Sequence, residues 1–246
     1  MKLAGDARYR RAEKRALIEG PHLLAAALQH GYKPLAVLAT EEGSSNSEVA
    51  RLIARSGLKP VMLAKGVFRG IVDAETPPGL AAEIAIPDGS GEAAGNAVFL
   101  EGIQDPANVG AIIRSSAAFG VRRVVLDPAC ADPWSPKALR AGMGGHFGLQ
   151  IMETKDLFAD IEAFGGTVIC TVPRGGIPIE QAGLNGNLAW VFGAEGRGLS
   201  EETLRQSKLR VTIPTAAGTE SLNVAATVAV CLYEANRFVS KSGAGS

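Results

Sequence analysis

Cysteine is scarce and scattered. Cys130, Cys170 and Cys231 are the chain's three. They are far apart, odd in number and in no C-x-x-C spacing, which argues against a disulfide framework or a zinc site and fits a reducing compartment. Each reads as a small buried side chain rather than a nucleophile. A net charge is also missing. Lys plus Arg and Asp plus Glu both number 25, so overall charge points to no partner. No apolar run is long enough to cross a bilayer. The charged first residues lack the apolar stretch of a secretory signal. These absences lead to the expectation of a soluble, cytoplasmic protein with no membrane partner and no metal. The 246 residues suffice for one large domain or two small ones.

Charge is uneven locally. Residues 2–15 carry six basic side chains (Lys2, Arg8, Arg10, Arg11, Lys14, Arg15) against Asp6 and Glu13, a net of +4. A basic arm suits phosphates, and a solvated helix end has the same composition.

Residues 1–86 read as a small α/β unit. Leu23, Leu24, Ala27 and Leu28 predict a helix over 21–30 that Gly31 stops. Val49, Leu52 and Ile53 predict another over 47–56. Strands are expected at 35–39 and 81–86. Residues 87–96, P-D-G-S-G-E-A-A-G-N, have the composition of a linker. From residue 97 to 246 the rhythm changes. Short apolar runs at 97–100, 123–126, 167–171, 188–193 and 209–213 alternate with helical patterns. That alternation predicts an α/β fold with a mostly parallel sheet covered by helices. Ligands in such sheets gather at the carboxyl ends of strands.

Three polar or glycine-rich segments follow those strands. In 102–120, Asp105 suits an N-cap, Pro106 the first helical position and Gly120 the end. Val109, Ile112, Ile113 and Phe119 share a stripe, which leaves Arg114 free to face a cleft and Asn108 near the helix start. In 188–200, L-A-W-V-F-G-A-E-G-R-G-L-S, a buried strand leads into a glycine turn. Gly193, Gly196 and Gly198 let the backbone turn tightly, holding Glu195 and Arg197 at the tip, and Ser200 suits the next N-cap. In 213–234, Pro214 ends a strand, and Ser221 reads as the N-cap of a helix of small apolar residues with Asn223 in its first turn. Its free N–H groups suit a carboxylate or phosphate. Between the first two segments, 127–148 is long and irregular, and such stretches tend to be functional. Trp134 there suits either a base stack or a packed loop. His146 is more simply structural.

Three stretches, N-V-G-A-I-I-R (108–114), F-G-A-E-G-R-G-L-S (192–200) and I-P-T…E-S-L-N-V-A-A (213–226), stand in order. They resemble the three motifs of the SpoU (TrmH) family of RNA ribose 2′-O-methyltransferases, over residues 97 to 240. E-G-P-H-L-L-A-A-A-L (19–28) and T-P-P-G-L-A-A (76–82) are similar, more loosely, to the L30e-like substrate-binding domain that precedes it in many members. The resemblance implies a SPOUT-type catalytic domain with a deep trefoil knot, S-adenosyl-L-methionine as cofactor, and a homodimer with the site near its interface. It implies catalytic positions at Asn108, Arg114, Glu195, Ser221 and Asn223. Gly193, Ile213 and Leu222 match positions that hold the cofactor, largely through backbone, with Thr171 beside them. Arginine stays protonated, so Arg114 is expected to grip phosphate and stabilise a forming alkoxide, with Glu195 orienting it or the asparagines. Structured RNA is the implied partner, ribosomal RNA ahead of transfer RNA, with residues 1–86 and the basic arm holding it.

Two rival readings have less support. A nicotinamide enzyme would need G-x-G-x-x-G after the strand at 97–100, where it is absent. A non-catalytic RNA-binding or ribosome-assembly protein would transfer no methyl group.

Overall fold

The computed structural model describes residues 2–89, 91, 94–216 and 221–242. Two sheets lie on either side of the glycine-rich segment 87–96, of which 90, 92 and 93 are outside the described residues. The first sheet holds β1 (Arg15–Glu19), β2 (Ala36–Ala39), β3 (Val61–Met62) and β4 (Leu80–Ala85) in the order β1-β4-β2-β3. β4 runs antiparallel to both neighbours, and β3 parallel to β2. The helices Pro21–Gln29 and Ser47–Ser56 cover one face, burying Leu23, Leu24, Ala27, Val49 and Leu52.

The second sheet holds β5 (Ala97–Glu101), β6 (Arg123–Leu126), β7 (Gln150–Glu153), β8 (Thr167–Thr171), β9 (Ile177–Pro178), β10 (Leu188–Gly193) and β11 (Leu209–Thr212). Its order is β7-β6-β5-β10-β8-β11-β9, and every pairing is parallel. The five apolar runs read from the sequence are β5, β6, β8, β10 and β11. Parallel strands are buried on both faces, and the residue alternation sorts them. Val98, Leu100, Val124, Leu126, Ile169, Trp190 and Phe192 join one core, with the helices Pro106–Ala118 and Val224–Ser242. Phe99, Val125, Val168, Cys170 and Val191 join a second, with Leu157 and Ile161 of the helix Leu157–Glu162. Burial pushes the Cys130 thiol up to about 12, Cys170 to about 11 and Cys231 to about 12, so none is a nucleophile near neutral pH.

Two expectations change here. The basic residues at 2–15 are not an open arm. They fold into the helices Lys2–Gly5 and Ala7–Glu13 and the start of β1. Arg10 forms a buried pair with Asp132 at 2.7 Å, Arg11 pairs with Glu153, and Arg15 with Glu83. Those three charges are paired within the protein, while Lys2, Arg8 and Lys14 are exposed and make no ion pair among the described residues.

The irregular segment 127–148 is a docking platform between the two sheets rather than an open loop. It contains the helix Pro136–Gly142 and a 3-10 turn Gly145–Gly148. Arg140 reaches Glu19 at 3.1 Å and Asp73 at 2.5 Å, and Phe147 meets the Tyr32 ring edge-on at 4.9 Å. Trp134 is buried against the His146 ring, 5.5 Å between centroids, and so is the packed-loop residue, not a base-stacking one. His146 is wholly buried, its Nε2 donating to Pro133 O over 2.8 Å. Among the described residues no helix is long and apolar enough to cross a membrane.

Candidate active site

A cavity of about 800 Å³ opens at the carboxyl ends of β8, β10 and β11, where a parallel sheet places ligands. Each strand continues into a wall. Thr171 to Gly175 end and follow β8, Gly193 to Gly196 and Gly198 end and follow β10, and Thr212 to Ala216 end and follow β11. Ser221, Leu222, Val224 and Thr227 close it from the start of the last helix. The loop after β8, V-P-R-G-G, escaped notice in the sequence. Its signal was the glycine pair just past a strand end.

The turn after β10 is built tightly. Gly198 N donates to Ala194 O over 2.8 Å, and Gly196 and Gly198 take φ of +81° and +69°. The turn folds back onto Gly193, where a Cβ would lie 2.4 Å from Gly198 C. Only glycine allows that approach. Ser200 caps the helix Glu201–Gln206, as its position predicted, and its N–H reaches Glu101 Oε1 at 3.2 Å.

Glu195 sits beside two asparagines. Asn223 caps the helix Val224–Ser242, its Oδ1 accepting from Ala225 N (2.9 Å) and Ala226 N (3.3 Å). The expected cap at Ser221 lies two residues too early; Ser221 lines the cavity instead. Fixing the Asn223 oxygen on those donors turns its amide nitrogen outward. Nδ2 then donates to Glu195 Oε1 over 2.8 Å and to Asn108 Oδ1 over 3.1 Å. That orients Asn108, whose Nδ2 donates to Glu195 Oε1 over 3.2 Å. The Val224 N–H adds a longer contact of 3.4 Å to the same oxygen. Asn108 is held in turn by its helix, which Asp105 caps through Ala107 N at 3.0 Å. The Lys137 ammonium and that amide hold the Asp105 carboxyl below its ordinary range.

The structure therefore gathers eight of the nine residues singled out from the sequence. Thr171, Gly193, Ile213, Leu222, Ser221 and Glu195 line the cavity, and Asn108 and Asn223 bond to Glu195. Arg114 stands apart. It is exposed and outside the cavity lining, six residues along the helix from Asn108, a rise of about 9 Å. Positions 217–220 of the third motif lie outside the described residues.

The model of the SpoU rRNA Methylase family matches residues 95–233, and that of an MRM3-like substrate binding domain matches residues 2–82. The 23S rRNA (guanosine(2553)-2′-O)-methyltransferase RlmP of Bacillus subtilis (strain 168) is 29% identical over 219 residues, 88% of this chain and 86% of its own. An uncharacterized tRNA/rRNA methyltransferase of Synechocystis sp. is 33% identical over 93% of this chain and 86% of its own. Among solved structures, a putative RNA methyltransferase of the TrmH family from Porphyromonas gingivalis superposes with a TM-score of 0.83 at 30% identity, covering 96% of this chain and 95% of its own. An AdoMet-bound rRNA methyltransferase from Sinorhizobium meliloti superposes with a TM-score of 0.83 at 25% identity, covering 97% and 92%. With more than half of its length matched by the family model, around three strand-end loops that close on one cavity, the chain belongs to the SpoU rRNA methylase family.

Proposed function

We propose that the protein is an RNA methyltransferase that moves a methyl group from S-adenosyl-L-methionine to a ribose 2′-hydroxyl of ribosomal RNA in the cytoplasm. The observation that carries this is the juxtaposition of the cavity with the Asn108–Glu195–Asn223 cluster at its edge.

The cavity fits the cofactor's chemistry. Val172, Pro173, Val211, Pro214 and Leu222 offer apolar walls for a flat base, loop backbone offers polar contacts, and Arg174 and Glu195 supply one charge of each sign. Bound there, S-adenosyl-L-methionine supplies an electrophilic methyl on a sulfonium sulfur. Thr171, Gly193, Ile213 and Leu222 are the residues we assign to holding it. Glu195 Oε2 has no hydrogen-bond partner among the described residues, while Oε1 accepts from Asn108, Asn223 and Val224. The two asparagines thus fix the carboxylate and leave one oxygen open toward a substrate. Ser221, in the cavity wall, positions the nucleotide. Arg114 acts on phosphate and developing alkoxide charge as a fixed cation, not as a base.

We further infer a homodimer. Val230 and Tyr233 are exposed apolar side chains on the last helix, and Leu222 is exposed at the cavity rim. A second copy on this face covers them and closes the site. We assign residues 1–86 to an RNA-holding, L30e-like domain, 87–96 to a linker and 97–246 to the catalytic domain, with a trefoil knot formed by the chain that closes around the cavity. Calorimetric titration with S-adenosyl-L-methionine tests the reading. Saturable heat with the wild type supports it, and its absence from demonstrably folded protein refutes it.

A further inference from the structure

Arg197 is the charged residue at the tip of the β10 turn that the site so far leaves unused. Its neighbours Gly193 to Gly196 and Gly198 line the cavity, and Arg197 does not. Its guanidinium leans the other way. A Cβ built on Gly102, just past β5, would lie 3.8 Å from Arg197 Nη2 and 3.5 Å from Ala194 Cβ. The arginine therefore crosses the bare backbone between the tips of β10 and β5.

Both ends of this crossing are fixed. The turn is closed by Gly198 N donating to Ala194 O, and the helix after it is tied to β5 through Glu101, which accepts from Ser200 N and, at 2.8 Å, from Thr203 Oγ1. Gly102 is tied from the other side by its N–H to Asp127 Oδ1 at 3.0 Å. The guanidinium finds no counter-charge there. Glu195, two residues away, accepts from three N–H groups at Oε1, and no ion pair joins it to Arg197. Lys137 is paired with Asp105 at 2.8 Å. No hydrogen bond or ion pair engages Arg197 among the described residues. The result is an exposed fork of donors with no ion-pair partner among the described residues, two residues from Glu195 and outside the cavity lining. A fork of that kind matches the two oxygens of a phosphodiester.

We propose that Arg197 is a phosphate-binding subsite that grips the RNA backbone next to the ribose being methylated. The inference rests on the reading of the protein as an RNA ribose methyltransferase. A target 2′-oxygen placed against Glu195 carries its phosphate on the adjacent 3′ carbon, and Arg197 is the cation whose turn already holds Glu195. Arg197 is a positioning residue in this scheme. It neither touches the methyl group nor moves a proton.

The test is direct binding of in-vitro-transcribed 23S rRNA across a salt series, read by filter retention, for the wild type, Arg197→Ala, Arg197→Lys and Lys208→Ala. Lys208 is an exposed cation at the opposite, amino end of β11, its Nζ donating to Gly166 O. Arg197→Ala is expected to weaken RNA binding roughly tenfold and to lower the slope of log K against log salt by about 0.7–0.9. Arg197→Lys is expected to recover most of the slope, and Lys208→Ala to match the wild type. Calorimetry is expected to give Arg197→Ala an unchanged affinity for S-adenosyl-L-methionine. An unchanged slope in Arg197→Ala, an equal loss in Lys208→Ala, or a parallel loss of cofactor binding overturns the proposal. Failure of the methyltransferase reading shows separately, as wild-type protein that binds RNA without transferring methyl, and leaves the slope comparison standing.

Discussion

Asn223 Nδ2 donates to Glu195 Oε1 over 2.8 Å while its own Oδ1 caps the last helix. One side chain thus sets both a helix start and the direction of the carboxylate. Cap and carboxylate can be separated. Asn223→Asp keeps an N-cap oxygen but places a second carboxylate against Glu195 and removes the donor to Asn108. Helix content by circular dichroism is expected to stay at the wild-type level while kcat falls by about 10²–10³. Glu195→Gln is expected to lose activity to a similar extent, with unfolding free energy within about 0.5 kcal/mol of the wild type because the residue is exposed. Near-normal turnover in either variant contradicts the role given to this pair.

Gly193 tests the cavity wall. A Cβ there meets Gly198 C at 2.4 Å and Leu199 N at 2.5 Å, and backbone has no alternative rotamer. Gly193→Ala is expected to push the turn outward and weaken S-adenosyl-L-methionine binding roughly tenfold or more, about 1.4 kcal/mol. Calorimetric affinity equal to the wild type counts against Gly193 as a wall of the cofactor site.

Arg114 tests whether a residue outside the cluster takes part in turnover. It is exposed, so Arg114→Ala is expected to leave stability within about 0.5 kcal/mol and cofactor affinity unchanged. Loss of a fixed cation at developing charge is expected to lower kcat by about 10³. Methylation at close to the normal rate removes Arg114 from the mechanism.

His146 gives a pH signature of the fold. Burial lowers its pKa from 6.5 to about 4, only partly opposed by the Pro133 carbonyl. The unfolded chain therefore takes up a proton between those values and the folded chain does not. Stability is fully present above pH 6.5 and is lost as pH falls toward 4, by about 3 kcal/mol in all. His146→Gln is expected to flatten this part of the profile in urea melts at pH 7 and pH 5. A wild-type midpoint that does not move between them contradicts the buried neutral ring.

Most of the catalytic sheet was legible because its central strands are covered on both faces and so read as unbroken apolar runs, as Leu188 to Phe192 do. β7 (Gln150–Glu153) and β9 (Ile177–Pro178) were not, because edge strands are short and half polar, and β9 contains a proline. β1 was hidden by its position, R-A-L-I-E following a charged run. The pairing of half the basic residues at 2–15 was hidden for a related reason. Charge counted along the chain does not reveal that Asp132 and Glu153, more than a hundred residues away, neutralise Arg10 and Arg11. The cap moved from Ser221 to Asn223 because both residue types cap well, and tertiary contact with Glu195 decided between them. Site residues after strand ends were found through glycines and motif order, whereas Arg174 and Thr212 carried no signal beyond their neighbours.

Methyl transfer itself is the most direct test. Wild-type protein, tritiated S-adenosyl-L-methionine and unmodified 23S rRNA are incubated, and the RNA is digested with alkali, which cleaves only where a free 2′-hydroxyl is present. Label in alkali-resistant dinucleotides, formed about a hundredfold or more slowly with Glu195→Gln, is the expected result. Label confined to mononucleotides, or no label from folded protein that binds the cofactor, contradicts ribose 2′-O-methylation.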